Sequence, residues 1–84
     1  MNNRHQRTLD AVFSTPTRAN IEWSAIEALL VALGGVVKER AGSRIGVTLN
    51  GVDAVFHRPH PAKEAPKPIV RSVRDFLILA GVTS

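Results

Sequence analysis

The sequence has no cysteine. Disulfides and thiolate metal sites are therefore excluded, and a reducing compartment suits it. It also lacks long apolar runs. No stretch approaches the ~18 consecutive apolar residues of a membrane span. Arg4 and Arg7 lie near the N-terminus, but no apolar segment follows them, so no secretory signal is expected. There are no internal repeats. At 84 residues the chain has room for one domain. A chain of this size buries only roughly 60–65% of its unfolded surface, so its core is small. A protein without a membrane segment, located in the cytoplasm, is the expectation.

What is present is positive charge, unevenly spread. The formal net charge is +4. Residues 1–37 cancel, with Arg4, Arg7 and Arg18 against Asp10, Glu22 and Glu27. Residues 38–74 hold eight Lys or Arg against Glu39, Asp53 and Glu64, a net +5. Basic charge concentrated on so small a domain points to a polyanion, most simply nucleic acid. The alternative is a solvated surface with no ligand.

The strongest local signal is Asn50-Gly51 between two alternating segments. Asn-Gly tolerates positive φ at both central positions of a two-residue type I′ turn. Such a turn fixes the pairing. Leu49 meets Val52, Val47 meets Ala54, and Ile45 meets Phe56, all apolar and all on one face. The other face receives Thr48 with Asp53, Gly46 with Val55, and Arg44 with His57. An upstream strand, roughly Val36–Arg40, joins through Ala41-Gly42-Ser43. A three-residue loop there pairs Glu39 with Ile45, and a two-residue loop pairs it with Arg44. The three strands read as Val36–Arg40, Arg44–Asn50 and Val52–Arg58.

Helices flank this sheet. Residues 4–14 fit a short helix with Leu9, Val12 and Phe13 as its stripe, ended by Pro16. A second helix carries Trp23, Ile26, Leu29, Leu30 and Leu33 on one face. Ser24 and Glu27 fit a capping box at its start, and Gly34-Gly35 fits a left-handed cap at its end. Trp23 lies on the apolar stripe and is read as core rather than as a base-stacking platform. Pro59, Pro61 and Pro66 predict an extended loop over residues 59–66. A last helix begins near Pro68 and closes at Gly81. Its expected core stripe is Ile69, Val73, Phe76, Leu77 and Ala80, and Lys67, Arg71, Arg74 and Ile78 fall on the opposite face. The expected fold class is α+β, a three-stranded antiparallel sheet with helices on one face, in the order α-β-β-β-α after an extra N-terminal helix.

This order, together with Ala41-Gly42-Ser43-Arg44 and the Pro59-His60-Pro61 loop, resembles the HicA family. Its members are the toxins of HicA–HicB toxin–antitoxin pairs and have a double-stranded-RNA-binding-domain-like fold. The resemblance covers about residues 21–81. Residues 1–20 are then an added helix and connector, and residues 21–84 the family domain. The resemblance implies an mRNA-cleaving endoribonuclease, without cofactor or metal, neutralised by a HicB-type antitoxin. It also exposes a departure. The family's catalytic histidine directly follows Gly-Ser, and here that position is Arg44.

Metal-free RNA cleavage needs a base for the 2′-hydroxyl, a cation for the phosphate and an acid for the leaving oxygen. Histidine can be acid or base near neutrality. Arginine cannot be the base, but it can clamp a phosphate through two parallel hydrogen bonds. The candidate catalytic residues are therefore His60, His57 and Arg44, with Arg44 as clamp and either histidine moving the proton. Candidate RNA contacts are Ser43, Arg44, Arg58, Lys63, Lys67, Arg71 and Arg74. Arg71, Arg74 and Ile78 are the candidate antitoxin interface. His57-x-x-His60 has metal-ligand spacing but no third ligand nearby, so no metal site is expected. Two readings of function follow. One is an RNA-cleaving toxin. The other is a non-catalytic module that binds RNA or antitoxin and has kept the fold without the chemistry.

Overall fold

A computed structural model describes every residue from Met1 to Ser84. The elements are α1 Asn3–Val12, β1 Ile21–Glu22, α2 Trp23–Ala32, β2 Val36–Glu39, β3 Arg44–Leu49, β4 Val52–His57, β5 Glu64–Ala65 and α3 Lys67–Leu79. The α+β class is as expected, with β2-β3-β4 an antiparallel sheet. The α-β-β-β-α order of α2 to α3 is consistent with a double-stranded-RNA-binding-domain-like fold. None of the three helices is long and apolar enough to cross a membrane.

The register between β3 and β4 is the one that Asn50-Gly51 dictates. Ile45 pairs with Phe56, Val47 with Ala54 and Leu49 with Val52, while Arg44 pairs with His57 on the alternate face. Asn50 has φ +50 and Gly51 φ +79, as a type I′ turn requires. The Asn50 side chain also donates to the Ala80 carbonyl at 2.8 Å, tying the turn to the end of α3. The first hairpin adopts the three-residue loop, with Glu39 opposite Ile45. The amide of Arg40 donates to the Arg44 carbonyl at 3.0 Å and closes it.

All three helices contribute to one core on one face of the sheet. Ile45, Val47, Leu49 and Phe56 are buried beneath Ile26, Leu29 and Leu30 of α2 and Val70, Val73, Phe76 and Leu77 of α3. Phe56 is the aromatic centre, 6.1 Å from Trp23 and edge-on to Phe76 at 5.7 Å. The α1 helix docks through Leu9 and Val12, which belong to the same core. Helix α2 ends in a Schellman motif. Gly35 and Gly34 donate to the Leu30 and Val31 carbonyls, and Gly34 takes φ +97.

Three details differ from the expected pattern. Val70, not Ile69, is the fully buried residue at the start of the α3 stripe, and Ile69 packs half-buried against the same core. The segment after β4 is not wholly irregular. Its Glu64–Ala65 pairs with Ile21–Glu22, and Lys63 accepts from the Trp23 amide at 2.9 Å. The capping box does not form. Helix α2 starts at Trp23 with Glu22 at its N-cap, and Glu22 makes no side-chain cap.

Glu27 is instead claimed by a cation. Arg58 Nε and Nη2 donate to the two Glu27 oxygens at 2.9 and 3.1 Å. Its Nη1 and Nη2 also donate to Glu39 at 2.7 and 2.6 Å. The Trp23 indole N–H adds a 2.8 Å bond to Glu27. Charge-assisted forks outrank a neutral backbone cap. The Arg58 bonds hold the Glu27 carboxyl below its ordinary 4.5; partial burial opposes this and the Trp23 bond assists it. Glu39 is lowered too, again chiefly by the Arg58 bonds. The guanidinium itself is raised by bonds to Glu39 and then Glu27. The Glu39 side chain is 71% exposed and that of Glu27 only 26%. Solvent therefore screens the Glu39 half more strongly, and the Glu27 half carries more of the attachment.

Both carboxyls have folded pKa values below their unfolded ones. Their contribution is complete above the unfolded value near 4.5 and is lost as pH falls through the folded values. Arg58→Met should lower the urea midpoint at pH 7, and its gap from wild type should narrow toward about pH 3. An equal gap at both pH values would show that the carboxylates gain nothing from Arg58. Phe56→Ala removes the centre of the aromatic cluster and should cost about 3–5 kcal/mol in urea unfolding. A loss below about 1 kcal/mol would mean that the site collapses around the missing ring.

Candidate functional site

The uncovered face of the sheet is a grid of three rows, one residue from each strand per row. Strand alternation places Val36, Thr48 and Asp53 in the first row and Lys38, Gly46 and Val55 in the second. Arg40, Arg44 and His57 form the third row, because Arg40 faces Arg44 across the first turn. Every residue of the grid is exposed except Gly46, which is half-buried. Directly opposed residues have side chains roughly 4.5–5.5 Å apart at Cβ. The third row therefore starts two arginines and a histidine from one line, and the Arg40 guanidinium reaches back over Gly46 of the second row. The Thr48 hydroxyl donates to Asp53 at the far end.

Arg44 and His57 are thus brought together as the register implies. Arg44 Nε donates to the Ala41 carbonyl at 3.1 Å, which leaves its two terminal nitrogens without a protein partner. Ser43 sits in the turn beside them, and its carbonyl accepts from the Arg58 amide at 2.8 Å. That bond extends the β3–β4 ladder one step beyond His57. His60 lies outside the ladder, exposed in the loop between β4 and β5, with no hydrogen bond to Arg44 or His57. No group of three or more His, Asp or Glu side chains stands together as a metal site would need.

The remaining expected contacts are dispersed. Arg58 follows His57 and so points to the helix side, where Glu27 and Glu39 occupy its guanidinium. Arg74 is also occupied. It donates to the Val12 and Ser14 carbonyls at 3.0 and 3.2 Å and to the Thr17 hydroxyl at 3.0 Å, fastening α3 to the end of α1. Lys63, Lys67 and Arg71 are exposed, and Ile78 is 54% exposed beside Leu79 at 74%. Lys67, Arg71 and Ile78 belong to the helical layer, across the core from Arg44. Two grid residues, Lys38 and Arg40, had no place among the expected contacts. The turn length would have revealed them, since only a three-residue loop sets Arg40 opposite Arg44.

The open face therefore carries Lys38, Arg40, Arg44 and His57 against the single acid Asp53, held rigid by a ladder and a buried core. Comparison with curated proteins and with solved structures found no match. The family model described as the HicA toxin of bacterial toxin–antitoxin systems matches residues 23–82. That span begins at the first residue of α2 and runs past the end of α3. It takes in the whole three-stranded sheet, and α1 lies outside it. With well over half of its length matched, and with the sheet and both flanking helices inside the match, the chain belongs to the HicA toxin family of bacterial toxin–antitoxin systems.

Proposed function

We propose that this chain is the toxin of a HicA–HicB-type pair, acting in the cytoplasm on mRNA as an endoribonuclease and silenced by a HicB-type antitoxin. The observation that carries the reading is the Arg40–Arg44–His57 row on an uncovered, cationic sheet face. In this scheme Arg44 and Arg40 grip the phosphate, and the Arg44 fork stabilises the charge that develops on its oxygens. His57 takes the proton from the 2′-hydroxyl. The 2′-oxygen then bonds to phosphorus, and the 5′-oxygen departs with a proton from His60 or from water. The products are a 2′,3′-cyclic phosphate and a 5′-hydroxyl.

A second reading has its own support. Arg44 stands where the resemblance places the family's catalytic histidine, and an arginine cannot accept the proton. On that reading the grid binds RNA and does not cut it.

The partner surface proposed for the antitoxin is the exposed part of α3, reduced to Lys67, Arg71 and Ile78 because Arg74 is engaged with α1. It would suit an acidic partner with an apolar contact for Ile78.

Cleavage of a defined transcript by purified protein tests the first reading. His57→Ala should lower the rate about 10²–10⁴-fold. His60→Ala should cost less. Arg44→Lys keeps the charge but loses the fork, so it should also be damaging. Wild-type cleavage by His57→Ala would sink the assignment. RNA binding by the wild type without any cleavage would leave the binding module. For the partner, Arg71→Glu combined with Ile78→Asp should weaken antitoxin binding in calorimetry and leave RNA cleavage unchanged. Unaltered antitoxin affinity would make this stripe a solvated face.

A further inference from the structure

The middle of the open face is a hollow. Gly46 sits at the centre of the grid and contributes no side chain, which leaves room for the Arg40 guanidinium to lie over its backbone. The hollow has a volume of about 430 Å³ and lies between Val36, Lys38, Arg40, Thr48, Asp53 and Val55. That is within the usual range for sites that take a small planar ligand. Part of the floor is a flat cation. The Arg40 Nε, Nη2 and Cζ atoms lie 2.8, 3.4 and 3.5 Å from where a Cβ on residue 46 would be, so the guanidinium lies along the glycine.

The polarity of this hollow differs from that of the row beside it. Arg40 and Arg44 offer cations at one end, beside the His57 imidazole. Thr48 and Asp53 offer a hydroxyl and a carboxylate at the other, four residues or about 13 Å along the strand. A phosphate would be repelled by Asp53. A base would not. Val36 and Val55, 55% and 47% exposed, give it apolar contact. The Arg40 guanidinium gives it a stacking surface. Asp53 accepts the Thr48 hydroxyl on Oδ1, and Oδ2 remains open as an acceptor.

We infer that the hollow over Gly46 is a nucleobase subsite, taking one unstacked base of a single-stranded RNA whose phosphate lies on Arg40 and Arg44, and favouring a base with an exocyclic amine. The inference rests on the proposed action on RNA. Adenine, cytosine and guanine carry an amine for the Asp53 carboxylate. Uracil has no exocyclic amine, and its N3–H is flanked by two carbonyl oxygens that the carboxylate repels, so it is disfavoured.

The test measures fluorescence anisotropy of the full chain with single-stranded hexamers of adenosine, cytidine or uridine, their integrity checked by gel. Wild type should bind the uridine hexamer roughly tenfold more weakly than the cytidine hexamer. Gly46→Val fills the hollow without changing charge. It should erase the difference; a Cβ there would lie 2.8 Å from Arg40 Nε, so the Arg40 guanidinium must shift as well, and its phosphate contact is read separately from the salt dependence of binding. Asp53→Ala leaves the backbone of the grid alone and should also erase it, which decides the matter if Gly46→Val does not fold by circular dichroism. Equal binding of all three hexamers by the wild type overturns the subsite. So does a preference that survives both substitutions, which would give the hollow to another occupant such as the antitoxin. If no hexamer binds at all, the action on RNA fails as well, and the two failures are told apart.

Discussion

Four hydrogen bonds from one guanidinium, that of Arg58, fasten the end of β4 to α2 through Glu27 and to β2 through Glu39. The same residue's amide holds the Ser43 carbonyl. Arg58 thus pins the end of the ladder on which Arg44 and His57 stand. The Trp23 indole reaches the same carboxylate, and the Trp23 amide is held by Lys63 from the far side of the proline-containing loop. Three separate stretches of chain are oriented by one ion cluster, and two of them, β2 and β4, carry outer strands of the open face. Apolar burial supplies the cohesion, but it is nearly non-directional. The guanidinium supplies direction, because its donors are fixed in a plane.

Much of the fold was legible because a few residues admit a single geometry. Asn50-Gly51 fixes one register, and the register fixes both faces of the β3–β4 hairpin. Gly34-Gly35 ends a helix as its chemistry requires. What could not be read depended on partners distant in sequence. Ser24 and Glu27 satisfy the spacing of a capping box, yet a guanidinium thirty-one residues away takes the glutamate. The short β1–β5 pair joins segments more than forty residues apart, and the prolines around Glu64 mask it. The choice between Ile69 and Val70 turned on a rotation of one residue about the α3 axis, which sequence periodicity resolves poorly.

The candidate site divides the same way. Arg44 and His57 were legible because they lie in the register that the turn defines. Arg40 was hidden by two possible lengths for the Ala41-Gly42-Ser43 loop. Arg58 and Arg74 were grouped with the ligand-facing cations because counting charge assigns no partners. The structure turns both inward, one to carboxylates and one to the carbonyls that end α1. The basic surface left for a polyanion is smaller than the composition implies, and it is better ordered.

Asn50 shows how narrow such a position becomes. The turn demands a residue at ease with positive φ, and the end of α3 demands a donor for the Ala80 carbonyl. Glycine meets the first demand and has no donor. Aspartate is tolerated in the turn but would set a carboxylate against a carbonyl oxygen. Glutamine has the donor, but it is less at ease with positive φ and one methylene too long for the same reach. Asparagine serves both the turn and the helix end, so in chains that keep this latch the tip of the hairpin and the last turn of the final helix must drift together or not at all.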